Sequence, residues 1–139
     1  MPRLTRWYLR TALIGFIAAL LIGVLQAARG LFTLPAVVNA LTPVYFHLLM
    51  VGWVTQLIFG IVFWMFPKPS AARPRGSEGL GWATYALLNV GLLLRVIAEP
   101  WQTLTPGDVP GSVLALSAVL QWLAGLAFVA NTWARVKER

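Results

Sequence analysis

Residues 43–66 read PVYFHLLMVGWVTQLIFGIVFWMF, and this run contains no Lys, Arg, Asp or Glu. A helix needs about 20 mostly apolar residues to cross the hydrocarbon core of a bilayer. Thr42 can cap the start of such a helix, and Pro43 suits its first helical position. Pro67 stops the helix at its other end. The run therefore predicts a transmembrane helix.

Three more apolar runs have the length of a membrane span. The four predicted spans cover about residues 7–28, 43–66, 80–98 and 112–134. Pro100 is expected to end the third span, because proline interrupts the interior of a helix. Only 11% of the 139 residues are charged, whereas about a quarter are charged in a soluble domain. The sequence predicts an all-α fold in which residues 1–139 form a single transmembrane domain, a four-helix bundle.

The distribution of basic residues predicts how the helices are oriented. One side of the membrane receives Arg3, Arg6, Arg10, Lys68, Arg73, Arg75, Arg135, Lys137 and Arg139, and the other receives Arg29. Because basic connections stay in the cytoplasm, this asymmetry predicts an up-down-up-down bundle in the inner (cytoplasmic) membrane, with both termini inside. The basic clusters are short and lie between apolar runs, so the predicted partner is the lipid bilayer and not a nucleic acid.

The N-terminus has a second interpretation. A basic segment followed by an apolar run is also typical of a secretory signal peptide. However, Leu25-Gln26-Ala27 gives only a poor cleavage site, and the apolar run is long for a signal. We therefore expect a first span that is retained.

Polar side chains inside a membrane are costly, so they are the first candidates for function. In and beside the predicted spans they are few: Gln26, His47, Gln56, Asn89, Arg95, Glu99 and Gln121. His47, the only histidine, lies five residues after Thr42, and Arg95 lies five residues before Pro100. Both therefore lie about 7.5 Å below the outer surface, at a rise of about 1.5 Å per residue. An imidazole and a guanidinium at one depth suit a haem, with His47 on the iron and Arg95 on a propionate.

These residues also have a purely structural interpretation. A lone histidine often packs in a core and donates to a backbone carbonyl. Arg95 can pair with Glu99, four residues later on the same helical face, or extend to the outer interface. If Arg95 contacts a haem propionate, Glu99 would support its guanidinium from behind.

Gly52, Gln56 and Gly60 recur at every fourth position of the second predicted helix. Small residues at this spacing let another helix approach closely, and a glutamine can form a hydrogen bond across the contact. The neighbour is either another helix of the same chain or a second copy. Nine residues separate His47 from Gln56, which is half a revolution at about 3.6 residues per turn, so we expect the two on opposite faces.

Composition excludes several kinds of site. The chain has no cysteine, one histidine and four acidic residues, which is too few for an all-protein zinc site or for c-type haem attachment. It contains no phosphate-binding glycine loop. His47 is therefore the one candidate metal ligand, and no catalytic residue is predicted.

The second and third predicted helices resemble a known group of membrane proteins. The similar runs are Phe46-His47-Leu48-Leu49-Met50-Val51-Gly52-Trp53-Val54-Thr55-Gln56-Leu57-Ile58-Phe59-Gly60, Trp64-Met65-Phe66-Pro67 and Asn89-Val90-Gly91-Leu92-Leu93-Leu94-Arg95. These runs resemble short membrane proteins related to the catalytic subunit of haem-copper oxidases. They look most like parts of cbb-type oxidase subunit I, nitric oxide reductase and NnrS-like haem proteins.

What the resemblance implies is a b-type haem. In the large oxidases a histidine near the outer end of the second helix ligates the low-spin haem, and His47 matches that position. Arginines near the outer surface hold the haem propionates, and Arg95 matches that role. The large subunits also carry several ligand histidines and a copper site, which have no equivalents here. Oxygen or nitric oxide reduction by this chain alone is therefore not expected.

Two functions are compatible with the sequence. In the first, the chain is a small membrane protein that binds haem b and acts in respiratory electron transfer or in sensing haem or a gas. In the second, it is a non-catalytic structural or assembly subunit of a respiratory complex and has no cofactor of its own. Since one chain supplies one imidazole, three arrangements are open: a five-coordinate haem with an open site for a gas, a second ligand from another subunit, or a second His47 from a homo-oligomer. No catalytic activity of the chain by itself is predicted.

Overall fold

The computed structural model describes residues 1–68 and 75–136, and the regular structure of this part of the chain is helical. Four long helices are named α1, α3, α4 and α5, and a short helix, α2, precedes α3. Their bounds are Arg3–Ala27 for α1, Ala36–Ala40 for α2, Thr42–Met65 for α3, Glu78–Leu104 for α4 and Asp108–Thr132 for α5. Short 3-10 turns at Ala28–Gly30 and Trp133–Arg135 follow α1 and α5.

The four long helices are long and apolar enough to cross a membrane. Large apolar side chains cover their outer surfaces; for example, Ile14 is 68% exposed, Leu93 62% and Trp122 63%. A soluble monomer rarely exposes so extensive an apolar surface. The prediction of an all-helical protein with four such helices is confirmed, and their composition suggests a multi-pass membrane protein.

Two helix ends differ from the boundaries expected from sequence. α4 continues for one turn beyond Pro100. The missing N–H of Pro100 leaves one carbonyl of the helix without its usual donor, but the Thr103 hydroxyl adds a bond in this last turn by donating to the Glu99 carbonyl at 2.8 Å. α5 begins earlier than expected, at Asp108. Pro110 is tolerated there because the first turn of a helix has no internal partners for its N–H groups.

The middle of α3 is a π-helix, over Leu48–Thr55. Backbone bonds in a π-helix join residues five apart instead of four, and the Thr55 hydroxyl donates to the Met50 carbonyl, also five residues earlier, at 2.8 Å. The wider turns change the angle between His47 and Gln56. Both side chains reach α4, so the expectation that they lie on opposite faces is wrong.

Close contacts between neighbouring helices hold the bundle together. Gly15 of α1 lies against the backbone of Gly52 of α3. The Ser117 hydroxyl of α5 donates to the Gly91 carbonyl of α4 at 2.7 Å. One buried apolar cluster contains residues from all four long helices: Leu4, Tyr8, Phe63, Leu88 and Ala124.

Arg135 is buried against the carboxyl end of α3, with only 1% of its surface exposed. Nη2 donates to the carbonyls of Phe63 at 3.2 Å and Phe66 at 2.9 Å, and Nε donates to the Pro67 carbonyl at 3.2 Å. The last carbonyls of a helix have no partner inside the helix, so this guanidinium caps α3. From the sequence alone, Arg135 is only a basic residue beside a predicted span, and its role as a cap is not predicted. Three other residues used in the orientation argument lie outside the described residues: Arg73, Lys137 and Arg139.

Candidate functional site

His47, Arg95 and Glu99 come together near one end of the bundle, named here the His47 end. Oε1 of Glu99 lies 2.9 Å from His47 Nδ1 and 3.3 Å from Arg95 Nη1. The histidine comes from α3, whereas the other two residues lie four positions apart on one face of α4. The structure thus brings together the three residues that the sequence singled out. The contact between His47 and Glu99 was not predicted.

The ring of His47 is held through one nitrogen. Nδ1 lies 2.9 Å from Glu99 Oε1 and 3.0 Å from the carbonyl oxygen of Pro43, so a proton on Nδ1 has two acceptors within reach. Nε2 forms no hydrogen bond within residues 1–68 and 75–136, and the side chain is 31% exposed. With the proton on Nδ1, the lone pair of Nε2 is free to bind a metal.

Arg95 points into the bundle. Nε donates to the Ser117 hydroxyl at 3.2 Å, and Nη1 contacts Glu99. The Ser117 hydroxyl in turn donates to the Gly91 carbonyl at 2.7 Å and accepts from Gln121 Nε2 at 3.3 Å. Nη2 of Arg95 forms no hydrogen bond within the described part of the chain. That nitrogen remains available to another anion.

Glu99 is the buried centre of this group, with 7% of its surface exposed. Its Oε1 contacts both His47 and Arg95, and its buried Oε2 has no hydrogen-bond partner among the described residues. A buried carboxylate is costly unless it is paired. The guanidinium and the imidazole supply that pairing, which fixes their positions relative to each other.

Ser117 belongs to the site but was missed by the sequence analysis. It lies four residues before Gln121, so the two polar side chains share one face of α5. That spacing is a signal that could have identified the pair. It does not show that the face lies against Arg95, because the rotation of α5 is set by its packing on α4.

Gln56 lies in a second polar cluster, away from His47, and is only 1% exposed. Its side-chain amide exchanges two hydrogen bonds with Asn89, at 3.1 and 3.3 Å, and its Oε1 accepts from the Thr11 hydroxyl at 2.6 Å. Gly52 and Gly60 are buried beside it, and a Cβ added to Gly60 would lie 2.7 Å from a side-chain carbon of α1. The structure therefore places this stripe against helices of the same chain.

The described residues contain no group of three or more His, Cys, Asp or Glu side chains that could hold a metal ion. His47 alone could supply one ligand to a metal whose other donors come with a cofactor. The porphyrin of haem supplies four such donors and needs axial ligands from the protein. A free Nε2 on a ring anchored at Nδ1 fits that requirement.

Comparisons with protein-family models, with curated proteins and with solved structures find no match to this chain.

Proposed function

We propose that this chain is a small integral membrane protein that binds b-type haem through Nε2 of His47 and acts in respiratory electron transfer or in sensing haem or a gas. The supporting observation is that Glu99 and the Pro43 carbonyl hold Nδ1 of the ring and leave Nε2 free. A histidine that ligates a metal almost always donates its other ring N–H to a carboxylate, a backbone carbonyl or water. Nδ1 of His47 has a carboxylate, that of Glu99, and a backbone carbonyl, that of Pro43, within hydrogen-bond distance.

The neighbours of His47 have separate roles in this proposal. Glu99 orients the imidazole and makes Nε2 a stronger ligand by accepting a hydrogen bond from Nδ1. Arg95 uses Nε and Nη1 for Ser117 and Glu99 and keeps Nη2 for a propionate. When bound, haem supplies an iron that can transfer an electron or take up a small gas molecule.

The proposal includes a homo-oligomer or a larger respiratory complex. Phe46 and Met50 lie near His47 on α3 and are 56% and 55% exposed. Apolar surface beside His47 is therefore available to contact a second copy of the chain or another subunit. A two-fold axis would present His47 twice to one haem. Otherwise another subunit supplies the second axial ligand, or the iron keeps an open position for a gas.

A second candidate function is a non-catalytic structural or assembly subunit of a respiratory complex. The contacts that favour it are the hydrogen bonds from Arg95 to Ser117 and to Glu99. A polar cluster whose only role is to hold helices together would form the same internal hydrogen bonds. In that case His47 would simply be a further member of this group.

The wild-type protein is expected to carry haem when it is expressed with ample haem precursor and purified through a tag that contains no histidine. We expect a Soret band that sharpens and shifts on reduction, with haem in a fixed ratio to protein. The ratio is measured by pyridine haemochrome assay and amino-acid analysis. A protein that remains colourless, and that also fails to take up added hemin, would favour the structural-subunit function.

We also propose that the bundle runs up-down-up-down across the inner membrane with both termini in the cytoplasm. The support is the distribution of Lys and Arg in the sequence. The two ends of the bundle then face opposite compartments.

Single cysteines at Lys68 and Asp108 are expected to react with a membrane-impermeant maleimide from opposite sides. The protein has no native cysteine, so each variant carries a single thiol, and both positions are exposed. In intact spheroplasts the cysteine at position 108 should be labelled, and the one at position 68 only after permeabilisation. A cysteine at Gly125, in the middle of the apolar helix α5, is the control for a thiol that lies inside the membrane. Labelling of positions 68 and 108 from the same side would contradict the topology.

A further inference from the structure

Two adjoining cavities lie at the opposite end of the bundle from His47, named here the Arg135 end. The apolar groove, of about 280 Å³, runs between α3 and α5 and is lined by residues that include Ile58, Val62, Phe66, Phe128, Val129 and Trp133. The basic pocket, of about 420 Å³, is lined by residues that include Trp64, Phe66, Lys68 and Arg75. Phe66 lines both, so the two cavities lie next to each other. Each is many times larger than the space that one water needs.

Direct contacts hold the walls of both cavities. The rings of Phe59 and Phe128 stack with centroids 3.7 Å apart and join α3 to α5 at the deeper end of the apolar groove. At the surface end, Arg135 donates to the carbonyls of Phe66 at 2.9 Å and Arg75 at 3.4 Å. Because one guanidinium bonds both segments, the backbone of Arg75 is fixed beside α3.

One cavity is apolar, like the acyl chain of a lipid, and the other is basic and so complementary to an anionic headgroup. The apolar groove lies along the exposed, apolar surface of α3 and α5, whereas the basic pocket lies beyond the end of α3 and carries Lys68 and Arg75. Among the described residues, no Asp or Glu lines either cavity. Trp64 lines the basic pocket and Trp133 lines the apolar groove, and they are 46% and 77% exposed. Tryptophan is enriched at the level of lipid headgroups.

We propose that the Arg135 end binds an anionic phospholipid, with an acyl chain in the apolar groove and the headgroup phosphate between Lys68 and Arg75. Basic pockets between transmembrane helices recognise anionic headgroups, and each cation contributes to the attraction. The adjoining groove explains why a lipid, and not free phosphate, is the occupant. His47 and haem take no part in this site.

Removing the two cations should weaken the retention of anionic lipid by about 30-fold. The test places wild-type protein and Lys68→Gln/Arg75→Gln in nanodiscs that contain equal amounts of phosphatidylglycerol and phosphatidylcholine. Lipids that remain bound after gentle detergent extraction are counted by native mass spectrometry. We expect wild type to retain phosphatidylglycerol and the double variant to lose that preference.

Two control variants separate this site from general effects. Arg3→Gln/Arg6→Gln removes two exposed cations from the start of α1 and should leave lipid retention within about twofold of wild type. Val129→Trp should fill the apolar groove and reduce retention of phosphatidylglycerol. Val119→Trp is its match, since Val119 is 50% exposed, Val129 is 49% exposed, and only Val129 lines the groove.

Four outcomes would overturn the proposal. They are equal retention of the two lipids by wild type, equal losses in the cation variant and its control, and equal losses in the two tryptophan variants. The fourth is displacement of the lipid by glycerol phosphate at concentrations similar to those of the lipid, which would point to a site for free phosphate. If Val129→Trp instead disrupts a dimer and leaves lipid retention unchanged, the groove binds a second copy of the chain.

Discussion

Replacing His47 by alanine is expected to remove haem from the purified protein. His47 is the only histidine, and the chain has no cysteine that could substitute as an axial ligand. The alanine variant keeps the Arg95–Glu99 pair, so the fold should persist while the iron loses its protein ligand. Haem occupancy should fall by at least about tenfold, because even residues that only support a metal ligand change affinity by about 10–100-fold. Occupancy is read from the Soret absorbance per mole of protein.

Three further variants distinguish ligation from general damage to the site. Asn39→Ala, near the same end of the bundle, should leave the spectrum unchanged. Glu99→Gln keeps an acceptor near Nδ1 but removes the charge, so it should retain some haem with a higher reduction potential. Arg95→Ala should weaken haem retention and also shift the potential. A His47→Ala protein with an unchanged reduced spectrum would refute the assignment of the ligand.

Gly15→Ala is expected to destabilise the bundle by about 2 kcal/mol. A Cβ at this position would lie 2.8 Å from the carbonyl oxygen and 3.0 Å from the carbonyl carbon of Gly52. Those atoms belong to the backbone of α3, so relief requires the two helices to move apart and to lose dispersion contacts along their interface. The loss should appear as a lower thermal midpoint in detergent.

Gly125→Ala is the matched control, because it makes the same substitution inside a long helix. A Cβ at Gly125 meets no atom within 4 Å. Alanine is favoured over glycine in a helix interior by about 1 kcal/mol, so this variant should be as stable as wild type or slightly more stable. Equal losses in the two variants would mean that α1 and α3 do not approach as closely as the structure shows.

Much of the fold could be predicted from apolar run lengths alone. Pro67 follows the helix predicted over residues 43–66, and Gly107 precedes the helix predicted over residues 112–134. The continuation of α4 beyond Pro100 could not be predicted in this way, because proline is tolerated near a helix end when further hydrogen bonds, such as that from Thr103 to the Glu99 carbonyl, hold the last turn. The π-helix at Leu48–Thr55 leaves no clear compositional trace.

The candidate site was predicted in part. Equal depth placed His47 and Arg95 together, and a spacing of four residues paired Arg95 with Glu99. The contact between His47 and Oε1 of Glu99 requires a particular rotation of α3 relative to α4. A regular α-helical period predicts the wrong rotation, because the π-helix in α3 changes the angle between successive residues. Ser117 depends in the same way on the rotation of α5.

The cap on α3 has a consequence for biosynthesis. Arg135 serves the carbonyl of Phe63 from 72 positions further along the chain. At about 5–20 residues per second, the ribosome reaches Arg135 roughly 4 to 14 seconds after it has made the end of α3. Until then, those carbonyls lack the Arg135 guanidinium as a donor. The carboxyl end of α3 is therefore capped only after α5 has been translated. The turn that follows α5 thus completes a helix made earlier in synthesis.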